Sequence, residues 1–267
     1  MALVPFPSAT PAPLDPDDDE QQDDEAGGKM SFLEHLDELR RRLIVSVWAL
    51  VGGCVISFIF VGKLQQFIML PLWELMPDKE KFIYSAPTEG FMIMMKIGAL
   101  GGLFIALPII VLQLWLFIAP GLYANEKRFA VPFVILGTVF FLCGAAFSHY
   151  IAFPYSWKFF LSFETNYLRF LPNISYAFSL WVKMLLAFGV IFQMPTIVFF
   201  LARMGMVTAG FLIKHTKYAV LIIFILGAVL SPGTDVVSQA LMAGPMLVLY
   251  VLSIGIAWLF AKKKVVD

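Results

Sequence analysis

Carboxylates set beside arginines, at two separated places, are the groups in this chain best suited to binding chemistry. The first set is His35-Leu36-Asp37-Glu38-Leu39-Arg40, with Arg41 and Arg42 behind it. The second is Glu126, followed by Lys127 and Arg128. An ionised carboxylate accepts two parallel hydrogen bonds from a guanidinium, so such groups can hold an arginine. On composition alone, Glu126 is a solvated loop charge. The Glu38 stretch is either an interfacial anchor or a charged docking edge. Other chemistries lack their parts. His35 has no second histidine at metal-ligand spacing. There is no Gly-rich Lys-Ser/Thr loop for a nucleotide, and no Gly-x-Ser-x-Gly elbow accompanies the three histidines. We therefore expect no enzyme, no cofactor and no metal.

A few further polar groups sit where they are costly. Gln193 lies about ten residues, or ~15 Å of helix, before Arg203, which places it near mid-bilayer. Pro195 follows and frees a backbone carbonyl close by. The amide either joins two helices of this chain or docks a helix of a partner. Asp235 and Gln239 flank a tight turn, Ser231-Pro232-Gly233-Thr234-Asp235, where Asp235 is placed to cap the helix that follows. Pro71 interrupts Phe67–Trp73, an interfacial segment whose Trp73 suits the headgroup level. The two cysteines, Cys54 and Cys143, lie in separate apolar runs and read as small buried hydrophobes.

The elements that hold these groups follow from hydropathy. Hydrophobic residues make up 60% of the 267 residues and charged ones only 14%, with a mean hydropathy of +0.83, which defines a membrane protein. The zero net charge conceals an uneven distribution. Asp15 to Glu25 holds eight of the nineteen acids, so the remainder carries an excess of positive charge. Residues 1–28 lack the basic start and apolar core of a signal peptide, and the Pro, Asp and Glu content of residues 1–29 reads as a disordered tail.

Met30–Leu43 begins with a capping box, Ser31 and Glu34, and lines up Phe32, Leu36, Leu39 and Leu43 as one apolar stripe. Apolar runs follow at Leu43–Val61, Phe91–Ile118, Phe129–Phe153, Leu180–Leu201, Tyr218–Leu230 and on to Phe260. The fifth has thirteen residues, about 20 Å of helix against a hydrocarbon core of about 30 Å. Pro154–Phe178 reads as an outer, aromatic-rich segment. The fold class is therefore an all-α integral membrane protein with six transmembrane helices spanning residues 30–261, flanked by the tail and a basic end at 262–267. Twelve of the nineteen Lys and Arg residues fall on one side, which makes both termini cytoplasmic. Glu38 and the loop at 119–128 then share the cytoplasmic face.

Four motifs, in order, resemble the TatC family of twin-arginine protein translocases. They are His35-Leu36-Asp37-Glu38-Leu39-Arg40; Phe117-Ile118-Ala119-Pro120-Gly121-Leu122-Tyr123-Ala124-Asn125-Glu126; Phe188-Gly189-Val190-Ile191-Phe192-Gln193-Met194-Pro195; and Ser231-Pro232-Gly233-Thr234-Asp235 with Ser238-Gln239 behind it. The resemblance runs from Met30 to about Phe260. It implies a multi-pass protein of the bacterial cytoplasmic (inner) membrane that receives signal peptides bearing an Arg-Arg pair and helps move folded proteins across the bilayer. By resemblance, Glu38 and Glu126 match the two glutamates that recognise the pair, with His35, Arg40, Phe117, Pro120 and Leu122 around them. Expected partners are the single-span TatA and TatB proteins, further copies in a multi-subunit complex, and membrane lipid, with no nucleic acid. Drive would come from the proton-motive force. Some members carry glutamate where this chain has Gln193, and the acidic tail has no counterpart in the family core. The rival from another class is a small-solute secondary transporter, which should show an internal repeat and several intramembrane ionisable groups.

Overall fold

The computed structural model describes residues 32–76, 82–118, 130–165, 167, 171–231, 233 and 235–260. The expected tail at 1–29, the basic end at 262–267 and Ser31 of the capping box lie outside them. Among the described residues the chain is helical, apart from isolated bridges such as Ile83 with Asn173. It divides into two compact units at Arg41–Arg42. The described part of the first is the opening of α1 (Phe32–Ile59), and the second carries the helical core.

α1 is a single helix, where the sequence suggests an interfacial helix followed by a separate span. The reason is local. No Gly or Pro occurs between Phe32 and Val51, and Arg and Leu propagate a helix well. α2 (Val61–Glu74) likewise runs through Pro71, which was expected to break it. Pro71 costs one backbone bond, but buried Ile68 and Leu72 on either side hold the turn in place.

α3 (Glu89–Ile118) matches the second apolar run. α4 (Ala130–Phe147) passes through a π-turn at Ser148–Ala152 into α5 (Phe153–Leu161). The expected end of this span at Phe153 is thus too early by about two turns. Pro154 follows directly on the π-turn, whose wider spacing accommodates its ring within one continuous helical stretch. α6 (Ile174–Ile191) starts six residues before the expected Leu180, because Asn173 caps it. Pro195 lies in the first turn of α7 (Met194–Arg203), so the expected single fourth span is two helices joined at Phe192–Gln193. α8 (Ala209–Lys214) leads to α9 (Thr216–Leu230), and α10 (Val236–Phe260) closes the described chain.

Five helical stretches are long and apolar enough to cross a membrane: Leu33–Ile59, Glu89–Phe117, Val131–Leu161, Ile174–Arg203 and Val236–Phe260. α9, at 15 residues, is a shorter apolar helix. The main core joins α2, α3, the α4–α5 stretch and α6 around Ile93, Ile97, Phe153, Trp157, Phe178, Trp181 and Phe188. A second cluster joins α9 and α10 through Ile223, Ala243, Met246 and Tyr250. With no water to expel between helices in a bilayer, close packing of small residues holds such elements together. At Gly144, a Cβ would collide with the backbone carbonyl of Phe188, so α4 and α6 touch main chain to main chain there.

Candidate functional site

The groups that the sequence offers for arginine binding come from two segments. His35, Glu38 and Arg40 lie in the opening turns of α1, and the i, i+3 spacing sets His35 and Glu38 on neighbouring positions of one face. Phe117 belongs to the last turn of α3. Pro120, Leu122 and Glu126 lie outside the described residues. What precedes and follows them is well held. Trp115 of α3 packs at a tilt against Phe133 of α4 with ring centroids 4.5 Å apart, and Phe200 of α7 meets Trp115 edge-on at 4.6 Å. The two helices that carry the 119–129 connection are therefore clamped together at its base.

A polar contact ties this end to α1. Arg42 Nη1 donates to Gln113 Oε1 at 3.4 Å, and Gln113 is buried. Arg42 stands one turn after Glu38 on α1, and Gln113 one turn before Phe117 on α3. Gln113 is not among the candidates the sequence offered, although it is an amide inside an apolar run just as Gln193 is.

The interior polar residues are engaged within the chain. Gln193 Nε2 donates to the Gly137 carbonyl at 2.8 Å, joining the α6–α7 break to α4. Gln239 Nε2 donates to the Phe224 carbonyl at 2.9 Å, joining α10 to α9. Asp235 caps α10. Its Oδ2 accepts from the Ser238 N–H at 2.8 Å and its Oδ1 from the Ser238 hydroxyl at 2.7 Å. These donors hold the Asp235 carboxyl below its usual value.

Two further polar junctions escaped sequence reasoning. Asn173 Oδ1 accepts from the Ser175 N–H at 2.7 Å as the cap of α6, while its Nδ2 donates to Glu89 Oε2 at 3.1 Å and Ser85 Oγ at 3.0 Å. An asparagine immediately before an apolar run was a readable cap signal. His149, in the π-turn, has no such signal. Trp181 Nε1 donates to its Nδ1 at 3.1 Å, which assigns the proton of the neutral ring to Nε2, and Phe67 stacks on it with centroids 5.0 Å apart.

Together these features define a multi-pass helical membrane protein whose spans are locked to one another by polar residues. The model of the Sec-independent protein translocase protein family (TatC) matches residues 34–245. A TatC protein of Desulforapulum autotrophicum is 42% identical over 236 residues, covering 88% of this chain and 87% of that protein. One from Aquifex aeolicus is 37% identical over 237 residues, covering 88% and 98%. A crystal structure of the twin arginine translocase receptor TatC superposes with a TM-score of 0.71 at 36% identity, covering 84% of this chain and 98% of that one. A second, determined in DDM, gives a TM-score of 0.73 at 37% identity, covering 83% and 98%.

The chain belongs to the TatC family. It is a Tat translocase subunit and a multi-pass protein of the bacterial inner membrane, from a family of translocase components rather than catalysts. The solute-transporter reading has no support.

Proposed function

We propose that this chain is the subunit that receives Arg-Arg signal peptides at the cytoplasmic face, with Glu38 and Glu126 each accepting one arginine. In this reading six helices span the bilayer, α9 being the thin one, and both termini are cytoplasmic. The Arg42–Gln113 hydrogen bond carries the proposal. It ties α1, one turn after Glu38, to α3, a turn before the chain leaves for Glu126. Carboxylates on two segments can then read two planar guanidinium forks, each bidentately, whereas lysine offers a point charge without that geometry.

Exposed ion pairs contribute only about 0–1 kcal/mol each, so recognition also requires burial of the signal's apolar stretch alongside the helices. His35, Arg40, Phe117, Pro120 and Leu122 frame the pair and set its approach. Partners are TatA and TatB, further copies of the chain in a multi-subunit complex, and the proton-motive force supplies the drive. The test is capture of the full-length protein from solubilised membranes by an immobilised Arg-Arg signal peptide against a Lys-Lys control. Strong preference for Arg-Arg is expected; equal capture contradicts the assignment.

A further inference from the structure

Two lysines share one membrane-facing groove. Lys96 of α3 and Lys183 of α6 line a cavity of about 500 Å³ together with Leu50 of α1, Leu103 and Phe178. Ser179 adds a hydroxyl, and among the described residues no acidic one belongs to the lining. The Asn173–Glu89 hydrogen bond sets the starts of α3 and α6 at one level. From that level Lys96 lies seven residues along α3 and Lys183 ten residues beyond the Asn173 cap, roughly 10 Å and 15 Å down.

The stretches Glu89–Phe117 and Ile174–Arg203 are about 45 Å long, against a hydrocarbon core of about 30 Å, so each extends about 7 Å beyond it at either end. Lys96 is then rooted close to the hydrocarbon boundary and Lys183 several ångströms inside it. The flexible stem of Lys96 can raise its ammonium group to the phosphate level, and that of Lys183 can carry its ammonium group up toward the hydrocarbon boundary beneath it. Ionisable residues at such depth are costly and are kept where they have work to do.

We propose that this groove is a binding site for one anionic phospholipid of the leaflet that holds the Asn173–Glu89 level. The two ammonium groups, with the Ser179 hydroxyl, take the headgroup phosphate. An acyl chain lies beneath along Leu50, Leu100 and Leu103. Charge complementarity selects the occupant. Two cations without a lining acid favour a net-negative headgroup over a zwitterionic one, whose own ammonium would meet the lysines. The apolar floor below the charges selects an amphiphile over free phosphate. An acidic residue on a partner helix has the same charge but would leave the floor unfilled at the lysine level.

Native mass spectrometry of the full-length protein in detergent, titrated with phosphatidylglycerol or with phosphatidylcholine of the same chains, tests this. Wild type should bind phosphatidylglycerol about tenfold or more tightly. Lys96→Gln and Lys183→Gln should each weaken it about fivefold, while the Lys96→Arg/Lys183→Arg pair keeps it. Equal binding of the two lipids by wild type, which needs no variant to fold, overturns the proposal. So does a phosphatidylglycerol preference that survives in the double Gln variant, or displacement of that lipid by an equal concentration of inorganic phosphate. Loss of a partner's copurification in the double variant, with lipid preference intact, would reassign the groove to a protein helix.

Discussion

α6 buries Ala177, Phe178, Trp181, Met184, Leu185, Phe188 and Gly189 against its neighbours, whereas α9 buries only Ile223 and Gly227. Both are apolar along their length, so apolarity does not decide which face meets protein. In water the apolar side turns inward; in lipid both sides can be apolar and the driving term between helices is packing. The residues that separate the two helices are the small and the polar ones. α6 is approached main chain to main chain at Gly144, and its Trp181 bonds to His149. α9 is held to α10 by the Gln239 side chain on the Phe224 carbonyl and by the close passage of Gly227.

The largest effect that could break this contrast is steric. Gly144→Leu drives a side chain into the Phe188 backbone and should abolish recovery of monodisperse protein, while Gly244→Leu on α10, with open space around its Cβ position, should be recovered normally. Size-exclusion chromatography after detergent extraction reads the difference. Next comes cavity formation. Phe188→Ala should destabilise by about 3 kcal/mol in thermal or denaturant unfolding, and Ile222→Ala on the exposed side of α9 by no more than about 0.5 kcal/mol. Comparable losses at both positions would erase the distinction.

The smallest effect concerns the cap of α10. Asp235 has its folded pKa lowered by the Ser238 hydroxyl and N–H that donate to it. A carboxylate so held contributes stability that is complete above its unfolded value, about 4, and is lost as pH falls through the lower folded value. The Tm of wild type should therefore exceed that of Asp235→Ala by a constant margin from about pH 8 to about pH 5. That margin should narrow below about pH 4.

How much of this was legible in the sequence differs by type of feature. The apolar runs located the helices, because hydropathy over about 20 residues is a strong signal. Their ends were read less well, for reasons that lie in particular residues. Pro154 was taken as a boundary, but a π-turn absorbs it; Pro71 was taken as a break, but flanking burial overrides it. Asn173 carried a cap signal that extends α6, and it went unread. The family-like motifs pointed to Glu38, Gln193, Asp235 and Gln239; the Asp235 cap was readable from its place before the last apolar run, but the bonds of Gln193 and Gln239 depend on helix pairing, which no local spacing encodes. Lys96 and Lys183 were invisible as a pair for the same reason, since 87 residues of chain separate two positions that line one groove.

Recognition of paired arginines by two carboxylates is tested most directly by site-specific photocrosslinking of an Arg-Arg precursor to the chain in membranes, comparing wild type with Glu38→Ala and Glu126→Ala. Each substitution should abolish the crosslink while the protein stays in the membrane at normal abundance. Undiminished crosslinking by both variants would contradict the account.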